Sequence, residues 1–548
     1  GNFKVLLNGV PMNAAHKGLA DPILNIPVEQ VARIETIRGP GSAIHGEFAY
    51  LGVIDVITRK ADPGAFIGGG SHGERRGGAS LSWQSEGSDR SFDLNVAGWR
   101  RDGTGVSAGT DALYRDDAAS DSHAPGPPND TTEAATAVMH YRDGGFELLG
   151  QWSEDAFGDH YGVNHVLPPP EDRRVLHNRI RNIEAHHEAA LGSGWTTRLR
   201  LGHTQVTEEK DGQYVLPGFD PYDLLYKERR NRAEMDLVWA GSRRHQVLAG
   251  LSYDDIEVTE AETNYGDYLV EEGRTRRIRA VTLQDEVRIT DRLTVTAGAR
   301  HDHYSDVGDH LSPRLAGVWR ISDRHILKAQ HAHAFRVPAL YESAFDLEAP
   351  TIATTEVGYI FKGFRREARA TLFYSELSDP VIYRTTERRY TNADSARLHG
   401  IELDGAMHLD RRTRVGGNLS YVDSEDDTTG RELVGSATWH GNLFASYRPD
   451  AETRIDLRLR FLDAYHRDPE DPREALDGYE TLDLTASLDR PWGATGWSAR
   501  AGIKNALDAE GRYPARLVSN SDDDLVVSYE DDFPRPDRTW WLQLRYTY

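Results

Sequence analysis

Apolar residues occur at every second position through most of this chain. In "RIDLRLRFL", for example, Leu457 and Leu459 share one face, whereas Arg458 and Arg460 share the other. A period of two predicts β-strands with one apolar and one polar face. A large soluble all-β protein and a membrane barrel would both show this alternation, so the connections between strands decide between them.

The connections alternate between short turns and long polar loops, and the first hairpin, near "SHGE", is the only tight joint predicted on the long-loop side. Starting near residue 64 the pattern predicts 22 strands, with short joints such as "LGSG" and "KGFRR" and long ones such as residues 102–130 and 506–537. Short turns at one end and long loops at the other are typical of an antiparallel transmembrane β-barrel with an even number of strands. Aromatic residues near strand ends fit the girdles at the two membrane interfaces: Trp99, Tyr141, Tyr253, Tyr374 and Tyr447.

Composition agrees with a barrel and excludes several other classes. The mean hydropathy is −0.61 and no long apolar run occurs, which excludes helical membrane spans. In a barrel only alternate strand residues meet lipid, so the polar average is expected. The net charge of −23 argues against nucleic-acid binding, and the absence of cysteine removes disulfides and thiolate metal sites.

No pattern in the sequence indicates an enzyme. "GGGSHG" satisfies a G-x-G-x-x-G spacing, but "RRGGASLSW" follows it and predicts a strand rather than the helix that a nucleotide site needs. There is no H-E-x-x-H sequence and no nucleophilic serine signature. We therefore expect a protein without catalytic activity.

Residues 1–62 differ from the rest of the chain. "FKVLLNGVPM" predicts a strand and a turn, "PVEQVARIETIRGP" a short helix and a strand, and "GVIDVITRK" a strand that leads into the barrel. A 22-stranded barrel has a lumen too wide for side chains to fill. We expect two domains: a small α/β plug fragment at residues 1–62, inside the lumen of the barrel at 63–548.

These segments resemble TonB-dependent outer-membrane transporters. "VLLNGVPM", "VEQVARIETIRGPGSAIHG" and "LGVIDVITRK" are similar to the second half of that family's plug, and "AFRVPALYE", "TTEVGY", "ADSARLHGIELDG" and "AGIKNALD" are similar to wall segments, in the family's order. The resemblance implies a location in the outer membrane of a Gram-negative bacterium. Family plugs are longer and begin with an energy-coupling box, so we expect the chain to be a fragment.

The resemblance also implies a function and partners. It implies active import of a scarce nutrient, first a ferric siderophore, with energy from TonB, ExbB and ExbD through an N-terminal segment absent here. Outer-membrane lipid and lipopolysaccharide would surround a monomer. Cobalamin or haem uptake is the alternative, although "FRVP" and "EAPT" depart from the haem-receptor boxes and residues 336–350 contain no histidine. A passive outer-membrane channel is the alternative class.

Two groups of site residues follow from the resemblance and from side-chain chemistry. Polar and aromatic residues of two plug loops are predicted to contact the ligand: Asn13, His16, Lys17, Ile44, His45, Glu47, Phe48 and Tyr50. A guanidinium enclosed by the barrel needs a carboxylate partner. Arg38 is therefore predicted to pair with the wall residues Glu356 or Glu402, which would hold the plug in place.

Acidic residues in the first long loop raise the question of a cation. Carboxylate oxygens are the ligands that Ca²⁺ prefers. The candidate ligands are Asp111, Asp116, Asp117 and Asp121. Solvated loop charge is the alternative, and we predict no other cofactor.

Overall fold

The computed structural model describes residues 2–59, 62–115, 122–170, 174–266, 270–385, 387, 389–468, 470–519 and 525–548. Strands dominate these ranges, and the three α-helices in them have four residues each. None of these described helices is long and apolar enough to cross a membrane.

Twenty-two strands close into one antiparallel barrel, which confirms the predicted fold class. In chain order they are β5 Gly64–Gly70, β6 Arg75–Gln84, β7 Ser91–Arg101, β8 Thr132–Asp143, β9 Phe146–Phe157, β10 Leu176–Gly192, β11 Trp195–Gln213, β12 Tyr222–Trp239, β13 His245–Thr263, β14 Thr275–Arg288, β15 Leu293–Tyr304, β16 Gly308–Arg320, β17 His325–Phe335, β18 Thr351–Lys362, β19 Arg366–Ser378, β20 Ser395–His408, β21 Thr413–Asp426, β22 Trp439–Tyr447, β23 Thr453–Leu462, β24 Tyr479–Asp489, β25 Trp497–Lys504 and β26 Thr539–Thr547. The last strand pairs with the first, from Trp541 opposite Gly70 to Thr547 opposite Gly64. Closure leaves the wall without an open sheet edge, as a membrane requires.

The outer face of the wall is apolar where the alternation predicted it. Leu443 and Leu457 are 56% and 38% exposed, and they would meet lipid. Tyr374 also projects outward near the end of β19, at 42% exposure, whereas Tyr253, which is 39% exposed, lies at the middle of β13. The prediction for Trp99 was wrong, because its indole Nε1 donates a hydrogen bond into the lumen.

A small sheet lies inside the barrel. Its strands are β1 Phe3–Leu7, β2 Val10–Pro11, β3 Val31–Arg38 and β4 Gly52–Thr58, with helices α1 Asp21–Leu24 and α2 Ser42–His45 and a 3-10 turn at Val28–Gln30. The strand order is β2-β1-β4-β3, and β1 and β4 are parallel. β3 forms one edge of this sheet and leaves Ile34 and Ile37 59% and 43% exposed.

The connections between wall strands carry further short elements. They are α3 Ala112–Arg115, 3-10 turns at Glu342–Phe345 and Pro491–Gly493, and strands at Val381–Arg384, Arg389–Asn392, Arg512–Tyr513, Leu517–Ser519, Leu525–Val527 and Phe533–Pro534. Val381–Arg384 and Arg389–Asn392 pair as a hairpin. Tyr161 and Phe533, from two different loops, pack with ring centroids 4.4 Å apart.

Candidate functional site

A wall glutamate holds the first plug loop, residues 12–19, against β12. The Glu228 carboxylate accepts hydrogen bonds from the backbone N–H groups of Ala15 and His16, at 2.8 and 3.1 Å. The hydroxyl of Tyr226 donates to the same carboxylate at 2.7 Å. Glu228 is only 4% exposed, so these bonds are shielded from water. The loop is thereby fixed to the wall through its main chain.

The imidazole of His16 is enclosed by aromatic rings. It stacks on Tyr226 with ring centroids 4.1 Å apart, and the edge of Tyr341 approaches it at 5.9 Å. Its Nδ1 lies 3.4 Å from the Glu208 carboxylate, which also accepts from Lys17. Burial lowers the pKa of His16, with the Glu208 hydrogen bond opposing that shift.

Asn13 shapes the same loop from inside. Its side-chain oxygen accepts from the Val5 N–H at 2.7 Å, and its amide nitrogen donates to the carbonyls of Phe3 and Gly18 at 3.0 and 2.8 Å. Asn13 is 6% exposed. Both the oxygen and the nitrogen of the Asn13 amide are thus used in hydrogen bonds within the plug.

The second plug loop, residues 41–51, is also packed against the wall. Glu47 accepts from Arg230 at 2.6 Å, and Arg230 in turn donates to Asp254 at 2.7 Å. The Tyr50 hydroxyl donates to the carbonyl of Thr351, the first residue of β18, at 3.1 Å. Phe48 is 1% exposed and has a φ of 62°.

Lys4 reaches the second loop from strand β1. Its ammonium donates to the carbonyl oxygen of His45. Burial and nearby arginines lower the pKa of Lys4 to about 7. Burial lowers the pKa of the His45 imidazole to about 3, and the positive charge of Lys4 is the second cause of this shift. The His45 ring is therefore neutral.

The eight predicted ligand residues are therefore mostly engaged with the plug or the wall. Asn13, His16, Glu47, Phe48 and Tyr50 are each at most 6% exposed. Ile44 is the most exposed of the eight at 37%, and Lys17 and His45 are partly accessible. Ligand contact by these residues stays a prediction.

The end of strand β3 meets the wall through Arg38. Its guanidinium Nη1 donates to the Glu402 carboxylate. Glu356 accepts from Gln330 at 2.6 Å and lies over the next plug residue, since a Cβ added to Gly39 would come within 2.8 Å of its Oε1. The structure thus pairs Arg38 with Glu402, one of the two predicted glutamates, and places the other, Glu356, beside Gly39.

An aromatic cluster covers the first plug loop on the side of the long loops. It consists of Tyr341, Phe345, Tyr383 and Tyr390. Tyr390 lies at the centre, with ring centroids 5.3 Å from Tyr341, 5.6 Å from Phe345 and 5.0 Å from Tyr383. The ring of Tyr383 is open, because that residue is 51% exposed.

The main chain ties this aromatic cluster to the plug. The Leu340 N–H donates to the Ala15 carbonyl at 3.0 Å, and the Tyr341 N–H donates to that of His16 at 3.4 Å. Sequence reasoning missed the cluster. The available signal was the density of tyrosine and arginine in "VIYRTTERRY", within a loop predicted to face outward.

The candidate calcium ligands are only partly described. The Asp111 carboxylate accepts from the N–H groups of Tyr114 and Leu167 at 2.8 and 2.9 Å and from the Ser122 hydroxyl at 2.9 Å. Asp116, Asp117 and Asp121 lie outside the described residues. Within the described ranges no group of three or more acidic or histidine side chains could hold a metal ion. A Ca²⁺ site in this loop stays a prediction.

Two family models match the chain. Residues 82–506 match the model described as TonB dependent receptor-like, beta-barrel, and residues 1–53 match the TonB-dependent Receptor Plug Domain. The first match covers most of the chain and the second falls on the small inner sheet.

Individual relatives are distant. An iron-regulated outer membrane virulence protein of Vibrio cholerae is 22% identical over 74% of this chain, and the match spans 65% of that relative's length. The vitamin B12 transporter BtuB of Vibrio vulnificus is 22% identical over 99% of this chain and 83% of its own length.

Solved structures share the fold. A mutant of the ferric enterobactin receptor PfeA from Pseudomonas aeruginosa superposes with a TM-score of 0.82 at 15% identity, covering all of this chain and 90% of that one. The siderophore receptor PirA from Acinetobacter baumannii gives 0.78 at 16% identity, with the same two coverages.

Proposed function

This chain belongs to the family of TonB-dependent receptors, proteins of the Gram-negative outer membrane, and we propose that it imports a ferric siderophore by active transport. Two kinds of relative support an iron cargo: the receptors for siderophores among the solved structures and the iron-regulated protein of Vibrio cholerae. The energy would come from TonB with ExbB and ExbD.

The observation that carries this proposal is the aromatic cluster over the first plug loop. Aromatic rings on a concave surface bind planar aromatic groups by offset or edge-to-face contacts. Arg384 and Arg389 lie next to Tyr383 and Tyr390 on the same hairpin. Both guanidinium groups form ion pairs with the Glu387 carboxylate, at 3.8 and 3.5 Å. Rings beside arginines suit a ferric complex that is aromatic and anionic, as ferric catecholates are.

The position of the aromatic cluster also suits transport. A ligand that moves Tyr341 would disturb two hydrogen bonds to the first plug loop, those accepted by Ala15 and His16. Ligand binding would then weaken one attachment of the plug while Glu228 still holds the other. Such a coupling would weaken the attachment of the first plug loop only when cargo is bound.

Cobalamin is the second candidate cargo. The relative named as a vitamin B12 transporter aligns with 99% of this chain, more than the Vibrio cholerae relative does. The aromatic cluster would accept a large conjugated ring as well as a catecholate. Direct binding is therefore the measurement that separates the two cargoes.

The test is quenching of intrinsic tryptophan fluorescence in the detergent-purified protein. It is titrated separately with a ferric catecholate siderophore, cyanocobalamin and haemin. The double substitution Tyr383→Ala and Tyr390→Ala should raise the Kd for the ferric siderophore about tenfold or more, since each aromatic pair contributes about 0.5–1.5 kcal/mol. Tyr374→Ala, an exposed tyrosine on the outer face of the wall, is the matched control and should leave the Kd unchanged. Saturable binding of cyanocobalamin without binding of the siderophore would refute the iron proposal.

A further inference from the structure

Two histidines face each other on the outer surface of the wall, near its long-loop end. They are His331 and His333, two residues apart on β17, which ends at Phe335. Alternate residues of a strand point to the same face of the sheet. The neighbouring Ala334 is 3% exposed and packs with Tyr50 of the plug, so its face is the lumen. Both histidines are exposed and therefore point away from the lumen.

The two imidazole rings approach each other through their Nε2 atoms. Nε2 of His331 lies 3.0 Å from Nε2 of His333, with the ring centroids 5.0 Å apart and the ring planes at 77°. A bond from imidazole nitrogen to a divalent transition metal is about 2.0 Å long. Two such bonds across a separation of 3.0 Å meet at the metal at about 97°. This angle is close to the roughly 90° between neighbouring ligands of a square-planar site and smaller than the roughly 109° of a tetrahedral one.

A threonine on the next strand orients one of the two rings. Thr355 lies opposite His331 on β18, and its Oγ1 is 2.9 Å from Nδ1 of that histidine. The hydroxyl can accept the Nδ1 proton, which leaves Nε2 with a free lone pair. Histidines that bind metals commonly donate their other ring N–H to an oxygen atom in this way. His333 lies opposite the small residue Ala353, so a hydrated ion can reach both rings from outside.

A hydrogen bond between the two rings accounts for the same geometry in the absence of a metal. His333 would then donate its Nε2 proton to Nε2 of His331. To bind a metal, His333 must carry that proton on Nδ1 instead. The ring is exposed and can exchange the proton with water, so the change of tautomer needs no net loss of a proton.

We propose that His331 and His333 form a binding site for a divalent transition-metal ion, Cu²⁺ first. Imidazole nitrogen suits copper, nickel and zinc, the square-planar angle favours Cu²⁺ and Ni²⁺ over Zn²⁺, and Cu²⁺ binds nitrogen ligands most tightly of the three. Among the described residues no third histidine or carboxylate joins the pair, so water would occupy the remaining positions around the ion. Ca²⁺ and Mg²⁺ prefer oxygen ligands and should not bind here.

This proposal does not rest on the proposed function. The histidine pair lies on the outer face of the wall, whereas the aromatic cluster lies over the plug on the side of the long loops. Binding of copper and binding of a siderophore can thus be measured on the same sample and told apart.

The experiment titrates the detergent-purified protein, without a histidine tag, with Cu²⁺ in the presence of glycine as a competing ligand. The native protein should bind one Cu²⁺ in a tight step, and its electron paramagnetic resonance spectrum should show two imidazole nitrogens on the metal. His331→Ala and His333→Ala should each weaken this step about 100-fold or more, because the second ligand of a positioned pair binds intramolecularly. Thr355→Val keeps both ligands, removes the orienting hydroxyl and should weaken binding about tenfold. An excess of Ca²⁺ should not compete.

A second histidine pair on the wall provides the matched control. His301 and His303 are also two residues apart and exposed, on β15. Their nitrogens approach the Asp309 carboxylate, at 3.3 and 3.0 Å, rather than each other. Replacing both by alanine should leave the tight Cu²⁺ step unchanged.

Heat-modifiable migration on gels verifies that each variant is folded. Native Cu²⁺ affinity in both His331→Ala and His333→Ala would overturn the proposal. Loss of the tight step in the double variant of His301 and His303, or a spectrum without two imidazole nitrogens, would overturn it as well.

Discussion

Replacing Glu228 by alanine should release the first plug loop from the wall. The carboxylate accepts two buried main-chain N–H groups, those of Ala15 and His16, and the Tyr226 hydroxyl. Each buried donor left without an acceptor costs about 1–3 kcal/mol. Two such donors amount to about 2–6 kcal/mol, which shifts the equilibrium for loop release by about 30-fold to 10⁴-fold.

Trypsin provides the assay, because Lys17 lies in the loop that would be released. In the native protein the Lys17 side chain pairs with Glu208 and the adjoining main chain is held by Glu228. Cleavage after Lys17 reports the released state when opening and closing are fast relative to cleavage. The rate of cleavage after Lys17 should therefore be higher in Glu228→Ala than in the native protein, because more of the loop is released. Mass spectrometry of the N-terminal fragment measures that rate.

The control is Glu228→Gln, which keeps one acceptor oxygen and should show a smaller increase. Cleavage at sites in the long loops should be equal in all three proteins. If Glu228→Ala is cleaved after Lys17 no faster than the native protein, then Glu228 does not hold the loop and the reasoning fails.

Three further predictions concern the plug and the wall. Arg38→Ala leaves Glu402 without its plug partner, so ion conductance in planar bilayers should increase, and an unchanged conductance would contradict that role. Leu457→Arg should reduce barrel assembly in outer-membrane fractions, because arginine on the lipid face costs about 2–4 kcal/mol at the midplane, whereas the neighbouring Arg458→Leu should not. Docking of the plug lowers the pKa of Lys4 from 10.5 to about 7, so the undocked plug binds more protons between those values and docking should strengthen as pH rises through that window. Urea release of the plug should show this rise in the native protein and not in Lys4→Met.

The architecture could be predicted because a barrel imposes two regularities on sequence. Alternation marks the wall strands, and most joints are short on one side and long on the other. The tight joints at 71–74 and 305–307, both on the long-loop side, are exceptions. Both regularities rest on local chemistry, so the placement of the neighbours Leu457 and Arg458 on opposite faces of one strand can be predicted without any tertiary information. The pairing of Arg38 with Glu402 was also predicted, but the reason given was wrong, because the Arg38 side chain is 57% exposed rather than enclosed.

The site was harder to predict because it depends on contacts between distant segments. Trp99 looks like a girdle residue from its place near a strand end, yet it donates to Asn25 of the plug at 2.9 Å. Glu228 has no sequence signal, because its role is set by main-chain groups more than two hundred residues away. Tyr341 and Tyr390 meet only after two long loops fold over the plug.

The parallel pairing of β1 with β4 determines how the plug responds to mechanical force. Five residue pairs join the two strands, from Phe3 opposite Gly52 at the long-loop side to Leu7 opposite Val56 at the short-turn side. β4 continues from Thr58 almost directly into the first wall strand at Gly64, so its lower end is anchored. A force directed toward the periplasm and applied at the Phe3 end of β1 acts first on the pair of Phe3 and Gly52. The remaining pairs then bear the force one after another, down to Leu7 and Val56. The strands therefore peel apart from the top, at a much lower force than shearing all five pairs together would need.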